Sequence, residues 1–590
     1  MSRVVIQPGR LGGVVSAIPS KSEAHRVLIA AALSRERCRL CGMHGELSED
    51  IAATIRVLHV LFGSIFTHDG AVIEVRPNPA AENLESVCQS HTFGDFAAAR
   101  MQDGMAGITV NGWPGGGRVP RRMRARIEEN VRMISGDSTQ SLHTGDGQSC
   151  HTGDGQSPLA GDGQSLHTGD GQSPLAGDGQ SLHTGDGQSP LAGDGQSLHT
   201  DDGQSLHTEN GEKRKAAEDK GKRPVIAHCP LHPVHVPHPA GSASPSEPVA
   251  DCGESGTTLR MILPVAAASL PSGGSISFTG SGRLPQRPLG ELLQVLRSRG
   301  VCCSSNSLPL SLSGKMAAGD CILPGDVSSQ YISGLLFALP LLDAGSRIIL
   351  STALESSAYV AMTCRTLADF GICVDAADAG FLVPGRQRYH SPGECRIGGD
   401  WSNAALWLAM GALSPGGITV RGLDAESLQG DRRILEVLSR FGASIHFHGN
   451  GDVMASNSGS GELHGADVDM REIPDLLPVL AVLATAASTP SNFTHAGRLR
   501  LKESDRLEGT ARLIADLGGH AEVFPDGLRV MPGRLRGGAV DSQNDHRLAM
   551  AAVLASARCD SPVMLDGAQS CRKSYPALWR DFSALGGHFQ

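Results

Sequence analysis

Nine residues, Arg498-Leu-Arg-Leu-Lys-Glu-Ser-Asp-Arg506, carry four cations and two carboxylates. That density suits anion recognition combined with proton transfer, because cations keep a neighbouring carboxylate ionised and able to accept a proton. Glu503, Ser504 and Asp505 stand where a helix would begin, ahead of an apolar face traced by Leu507, Ala511, Leu513, Ile514 and Leu517. Acidic and hydroxyl side chains also serve simply to cap free backbone N–H groups, so one such stretch decides nothing.

The same kind of start recurs. Six segments open on small polar or charged residues and continue as Ala/Leu-rich runs that are apolar almost all round. They are Ser20–Arg26 into Val27–Leu33, Glu254–Arg260 into Met261–Ala268, Asp326–Gln330 into Tyr331–Leu342, Asp400–Asn403 into Ala404–Leu413, Pro474–Asp475 into Leu476–Ala487, and Asn544–Arg547 into Leu548–Ala557. A helix without a polar face must be interior, so these six are expected to be buried with their polar N-termini emerging at a surface. Each is followed by strand-like alternation and an amphipathic helix closing on a glycine, namely Gly63, Gly300, Gly371, Gly442, Gly518 or Gly586.

From Glu254 onward the starts recur at intervals of roughly 70–75 residues, the signature of a structural repeat. Between Ser20 and Glu254 the interval is longer by about 160 residues on the same repeat logic. The excess is assigned to 78–246, where from Gly145 the octad Gly-Asp-Gly-Gln-Ser followed by Leu-His-Thr or Pro-Leu-Ala repeats almost unchanged. Its scarcity of apolar residues predicts a disordered insert, and it lacks the nonapeptide of calcium-binding β-rolls.

Composition narrows the function. The chain has 590 residues, a net charge of -10 and 4% aromatic residues, which argues against general binding to nucleic acid or anionic membranes while allowing a local basic pocket. No apolar run is long enough for a membrane span, and Met1–Ala17 lacks a secretory core. The 14 cysteines are scattered like reduced thiols of a cytoplasmic enzyme. Cys38-x-x-Cys41 has no second pair to complete a zinc site, so no metal is expected.

Six helix N-termini aimed at one place would gather positive potential and free N–H groups, a natural anion site. Lys21, Arg26, Arg260, Arg287, Lys502, Arg506, Arg547 and Lys573 lie in or beside these starts, and Asp475 and Glu503 are the carboxylates available for proton transfer. A polyanion pocket able to hold two phosphorylated or carboxylated substrates is the expectation.

The segments Pro19–Arg26, Cys252–Arg260, Val327–Gln330, Gly399–Asp400, Ile473–Asp475, Lys502–Arg506 and Asn544–Arg547, taken in order, resemble the 5-enolpyruvylshikimate-3-phosphate synthases of the enolpyruvyl transferase family. The resemblance covers nearly all the chain outside the insert. It implies a two-lobed, inside-out α/β barrel-like fold of six βαβαββ-like units with buried parallel helices. One lobe would comprise 1–20 plus 399–590 and the other 21–77 plus 247–398, with crossings near Ser20 and Gly398–Gly399.

The resemblance further implies transfer of enolpyruvate from phosphoenolpyruvate to the 5-hydroxyl of shikimate 3-phosphate, on the way to chorismate and aromatic amino acids. Neither metal nor organic cofactor would be needed, and the protein would be a cytoplasmic monomer. Lys21, Gly256, Arg287, Arg506, Arg547 and Lys573 would hold phosphoenolpyruvate. Ser22, Arg26, Ser328, Ser329, Gln330, Ser356, Tyr359, Asp475 and Lys502 would hold shikimate 3-phosphate. Glu503 would protonate the enol carbon and later reverse that step, Asp475 would take the hydroxyl proton, and Lys21 would neutralise developing charge and share in proton transfer.

Several positions depart from the family pattern. Ser357-Ala358 replaces a common Lys-Pro, Arg498 stands where some members have Asn, Glu254-Ser255 replaces the Asn-Ala of one branch, and Met261 replaces a common Pro. Gly256 is kept and would leave room for glyphosate beside the phosphoenolpyruvate site. Two rival readings are an enolpyruvyl transferase acting on UDP-N-acetylglucosamine, disfavoured by Ser22 after Lys21, and a non-catalytic scaffold displaying the octad array.

Overall fold

The computed structural model describes residues 3–77, 247–449, 451–457 and 462–590. The insert expected at 78–246 lies outside the described residues. Within them, six sheets form, five of four strands and one of three. They remain six separate sheets, and the barrel-like aspect of the expectation is a matter of their arrangement rather than of closed strand pairing.

One unit illustrates the rest. Strand Val249–Asp251 leads through helix Gly256–Ser269 to the parallel strand Ser275–Thr279. The amphipathic helix Gly290–Ser298 then precedes the antiparallel pair Cys302–Cys303 and Leu310–Ser313. The parallel step requires a crossover, and the helix supplies it.

The six apolar helices are Lys21–Ser34, Gly256–Ser269, Ser329–Ala338, Trp401–Gly411, Leu477–Ala484 and His546–Ser556. All are buried along nearly their whole length, as their lack of a polar face requires. Two are shorter than the sequence suggests. The segment after Ser328 gives way to a 3₁₀ turn at Leu339–Leu341, where Pro340 cannot continue the backbone ladder. The segment at Pro474–Leu476 is itself a 3₁₀ turn, so Asp475 sits on a tight turn ahead of the helix.

The six glycines expected to stop the amphipathic helices all take positive φ, from 64° at Gly63 to 93° at Gly586. That left-handed turn is open to glycine without the Cβ clash that other residues meet.

Buried apolar residues fall into two clusters, one drawn from Ile6–Val15 and Trp401–Leu585, the other from Ala24–Val75 and Ala250–Ile397. Strand exchange explains why the first cluster includes the start of the chain. Gly13–Ser16 pairs in parallel with Ile418–Arg421, and Arg3–Ile6 pairs with Val563–Asp566. Conversely, Glu394–Arg396 pairs in parallel with Cys38–Cys41. The chain passes between the clusters at two adjacent places. Pro19 bridges Gly399, Ser20 N–H donates to Gly398 C=O at 2.8 Å, and Asp400 N–H donates to Ile18 C=O at 2.8 Å.

On strand Cys38–Cys41 the two cysteines are three residues apart and so point to opposite faces. Cys38 instead faces Cys395 on the neighbouring strand, with 4.0 Å between sulfurs.

Candidate active site

Lys21 opens its helix, whose cap is Ser20. Its backbone N–H donates to Asp400 Oδ2 at 3.0 Å, while Asp400 Oδ1 caps its own helix through Asn403 N–H at 2.8 Å. One carboxylate thus satisfies free donors on helix starts from both clusters. Lys21 Nζ reaches Asp50 at 2.7 Å. Sequence reasoning missed Asp50, which lies on the separate amphipathic helix Glu49–Phe62, and used Asp400 as a repeat marker and as part of a matching segment without giving it a role in the site.

A single cavity gathers fifteen of the sixteen residues expected to form the site: Lys21, Ser22, Arg26, Gly256, Arg287, Ser328, Ser329, Gln330, Ser356, Tyr359, Asp475, Lys502, Glu503, Arg506 and Arg547 all line it. Lys573 does not line it. Eight cations, with Arg260 and Arg498 among them, face four carboxylates. This positive excess favours dianionic ligands.

The wall from the 21–77 and 247–398 cluster binds Arg26 and Arg260 to neutral groups, whereas its Arg287 lies 4.0 Å from Glu503 of the opposite wall. Arg26 donates to Thr363 Oγ1 at 2.9 Å and to the carbonyls of Ser22 and Tyr359, each at 2.7 Å. Arg260 donates to Gln330 Oε1 at 3.2 Å and to Pro288 C=O at 3.3 Å. Burial pulls both guanidinium groups down to about 10. The helix start at Ser328–Gln330 has no side-chain cap, which leaves its donors available to a ligand. Gly256 has a steric reason: a Cβ there would lie 2.4 Å from Arg287 Nη1. The room it leaves is therefore filled by that guanidinium.

The opposite wall is built around Arg506, whose side chain is 1% exposed. Its Nε donates to Asp545 Oδ2 at 2.8 Å, Nη1 to Asp475 Oδ1 at 2.8 Å and Nη2 to Glu503 Oε2 at 2.5 Å. Burial lowers the Arg506 pKa, but Asp545, Glu503 and Asp475 outweigh it and raise the group above its ordinary value. Burial also pushes Glu503 and Asp475 up. Arg506, His546, Arg287 and Lys21 overcome it at Glu503, and Lys502, Arg506, Arg547 and His546 overcome it at Asp475, so both stay well below the usual carboxylate range.

Lys502, mainly through burial, is lowered to about 8. Glu503, Asp545 and His546 lie close enough to suggest a metal site, but Arg506 already donates to both carboxylates.

The helix at the centre of the sequence argument begins one turn late. Asp505 is its cap, accepting from Leu507 and Glu508 N–H at 3.1 and 3.2 Å, so Lys502, Glu503 and Ser504 lie on the loop before it.

The substituted positions have partners. Ser356 takes positive φ (53°), Ser357 donates to Glu472 Oε2 at 2.8 Å, and Arg498 donates to Ser356 Oγ at 2.9 Å. Tyr359 OH donates at 3.2 Å to Asp431 Oδ2, which also accepts from Ser402 OH. Asp431 is fully buried and raised to about 6 by burial and then by Asp475, and its place just ahead of an amphipathic helix gives no sign of this in the sequence.

Residues 5–94 and 233–582 match the family model for EPSP synthase (3-phosphoshikimate 1-carboxyvinyltransferase). This chain belongs to that family. Curated relatives named 3-phosphoshikimate 1-carboxyvinyltransferase include one from Clostridium kluyveri, 41% identical over 346 residues that span 58% of this chain and 79% of that protein. Another, from Methanocorpusculum labreanum, is 37% identical over 356 residues, or 60% of this chain and 81% of that protein.

Among solved structures, an EPSP synthase from Acinetobacter baumannii superposes with a TM-score of 0.59 at 16% identity, all of both chains being covered. The enolpyruvyl transferase NikO from Streptomyces tendae gives 0.57 at 14% identity, covering all of this chain and 98% of its own. At those identities the likeness speaks for the enolpyruvyl transferase fold.

Proposed function

We propose that this chain transfers the enolpyruvyl group of phosphoenolpyruvate to the 5-hydroxyl of shikimate 3-phosphate and releases phosphate, as the names of its curated relatives indicate. The observation that carries the chemistry is Arg506, which holds Asp475 and Glu503 by neighbouring nitrogens at one edge of a cation-rich cavity. Two carboxylates fixed by one guanidinium can divide the two proton transfers that enolpyruvyl transfer needs.

In this reading Asp475, ionised before ligands arrive, takes the 5-hydroxyl proton as that oxygen attacks C2 of the enol. Glu503 delivers a proton to C3. It gains that proton from solvent as the ligands' negative charges offset Arg287 and Arg506, whose attraction otherwise keeps it ionised. The tetrahedral intermediate then expels phosphate toward Lys21, Arg287, Arg506 and Arg547, where the cations stabilise the leaving charge, while Glu503 takes a proton back from the C3 methyl to restore the carbon–carbon double bond. Shikimate 3-phosphate occupies the side formed by Ser22, Arg26, Ser328, Ser329, Gln330, Ser356, Tyr359 and Lys502.

The two apolar clusters act as two lobes hinged at Pro19–Ser20 and Gly398–Asp400, with 78–246 dispensable for turnover. Among the described residues the cysteines are free thiols, which supports a cytoplasmic location. We take the working unit to be a monomer.

Phosphate release from the purified protein tests the reading. It is expected with phosphoenolpyruvate plus shikimate 3-phosphate and not with phosphoenolpyruvate plus UDP-N-acetylglucosamine. Release with the second acceptor alone would assign the chain to the other reaction, and release with neither would defeat the proposal.

A further inference from the structure

The one expected site residue that does not face the cavity is held by a residue to which nothing assigns a role. Lys573 Nζ donates to Glu254 Oε2 at 2.7 Å and to the Asn544 carbonyl at 2.5 Å. Asn544 Nδ2 donates to both Glu254 oxygens, at 3.1 and 3.0 Å. Glu254 belongs to the cluster formed by 21–77 and 247–398, whereas Asn544 and Lys573 belong to the other. The lysine side chain is 5% exposed and the glutamate 27%.

The carboxylate has a prepared seat. Gly282, at φ +59°, lies so close beneath it that a Cβ there would come 2.3 Å from Glu254 Oε2. Glu254 is also two residues ahead of Gly256 and adjoins Ser255, the cap of the same helix start.

An ammonium group has three donor hydrogens. Two are committed here, and the direction of the third follows from them. Truncating Glu254 would leave a buried cation bound only to a backbone carbonyl and free to turn about its four-carbon stem. The neighbouring Arg572 reaches Glu46 and Glu49 across the same gap, but those partners are more than half exposed and contribute little.

We propose that Glu254, seated on Gly282, is a positioning residue for the phosphoenolpyruvate side of the site. It docks Asn544 and Lys573 of one lobe onto the Gly256 helix start of the other and fixes the direction of the Lys573 ammonium. This inference rests on the reaction proposed above, and wild-type turnover with both substrates is the control that separates the two.

The test is steady-state kinetics on the full chain for Glu254→Ala, Asn544→Ala, the double variant and Glu254→Gln. Glu254→Ala is expected to raise KM for phosphoenolpyruvate about tenfold, the size of one hydrogen bond to a charged group, with kcat and KM for shikimate 3-phosphate changed far less. The double variant should cost little more than the larger single effect, because both remove one linked contact. Glu254→Gln, which keeps an acceptor for Lys573, should recover part of the loss.

An unchanged KM for phosphoenolpyruvate in an active Glu254→Ala protein would overturn the proposal. So would a fall in KM, which would mean that Glu254 competes with the substrate anion for Lys573. If Glu254→Ala does not fold, the Asn544→Ala and Glu254→Gln variants report the same contact, and normal kinetics in both would overturn it as well. Absence of turnover in the wild type would instead count against the reaction.

Discussion

The two walls of the cavity use cations in opposite ways. On the wall built from 21–77 and 247–398, Arg26 and Arg260 are bound to carbonyl and amide oxygens and a hydroxyl, and burial lowers both to about 10. On the other wall Arg506 is enclosed by Asp475, Glu503 and Asp545, and its charge is reinforced. A buried cation whose charge is unneutralised is costly to the ligand-free protein and gains most when an anion arrives. A cation already neutralised gains less, and serves to fix its carboxylates. On the proposed reading, the first wall binds through Arg26 and Arg260, and the second, besides binding, uses Arg506 to hold the two carboxylates that would move protons. Lys21, paired with Asp50, departs from this division and stands where the two clusters meet.

The largest expected effect lies on the second wall. Glu503→Gln keeps the shape of the site and should reduce turnover by about a hundredfold or more, the range of acid–base catalysis, while shikimate 3-phosphate still binds. Near-normal kcat would end the assignment of Glu503. On the first wall, Arg260→Gln should act mainly on KM, raising it for an anionic substrate about tenfold to a hundredfold as a charge-assisted contact is lost. An effect confined to kcat would erase the distinction between the walls.

A smaller effect comes from pH. Lys502 is lowered to about 8, so it carries charge below that pH and loses it above. KM for shikimate 3-phosphate should therefore rise as pH passes upward through about 8, and Lys502→Arg, which stays charged, should flatten the profile. A wild-type profile already flat from neutral to alkaline pH would remove Lys502 from the groups that bind shikimate 3-phosphate.

The smallest effect concerns stability. Asp431 has a folded pKa of about 6, raised from the ordinary aspartate value by burial and Asp475. The protonated form is favoured on folding, so its contribution is present at low pH and is lost as pH rises through about 6. Asp431→Asn should therefore raise Tm relative to wild type more at pH 7.5 than at pH 5, and equal shifts at both would contradict the burial argument. Removing 78–246 should leave turnover intact, and loss of activity would show that the segment supports the core.

Much of the site was legible in the chain because its parts are local. Ser20, Asp400 and Asp545 are helix caps whose partners lie two or three residues away, and their spacing exposes them. Asp431 and Asp50 were harder. Both occur at starts of amphipathic helices, where an acidic residue is ordinary, and only the approach of Tyr359 and Lys21 from distant sequence makes them part of the site. Lys573 was expected in the cavity, but the structure turns it toward Glu254, a residue that had stood out only as the start of a recurring segment and a departure from a pattern.

The sequence by itself determined which helices are interior, where they begin and where glycines end them, since periodicity and capping act within a few residues. It also placed cations beside those starts. Only the tertiary structure decided which charge meets which: Lys21 with Asp50, Arg506 with three carboxylates, Arg26 and Arg260 with neutral oxygens. Such pairings depend on segments far apart in the chain being brought within a few ångströms, and on how much water remains between them. Burial sets the cost of each charge and proximity sets its compensation, and neither is written in the order of the residues.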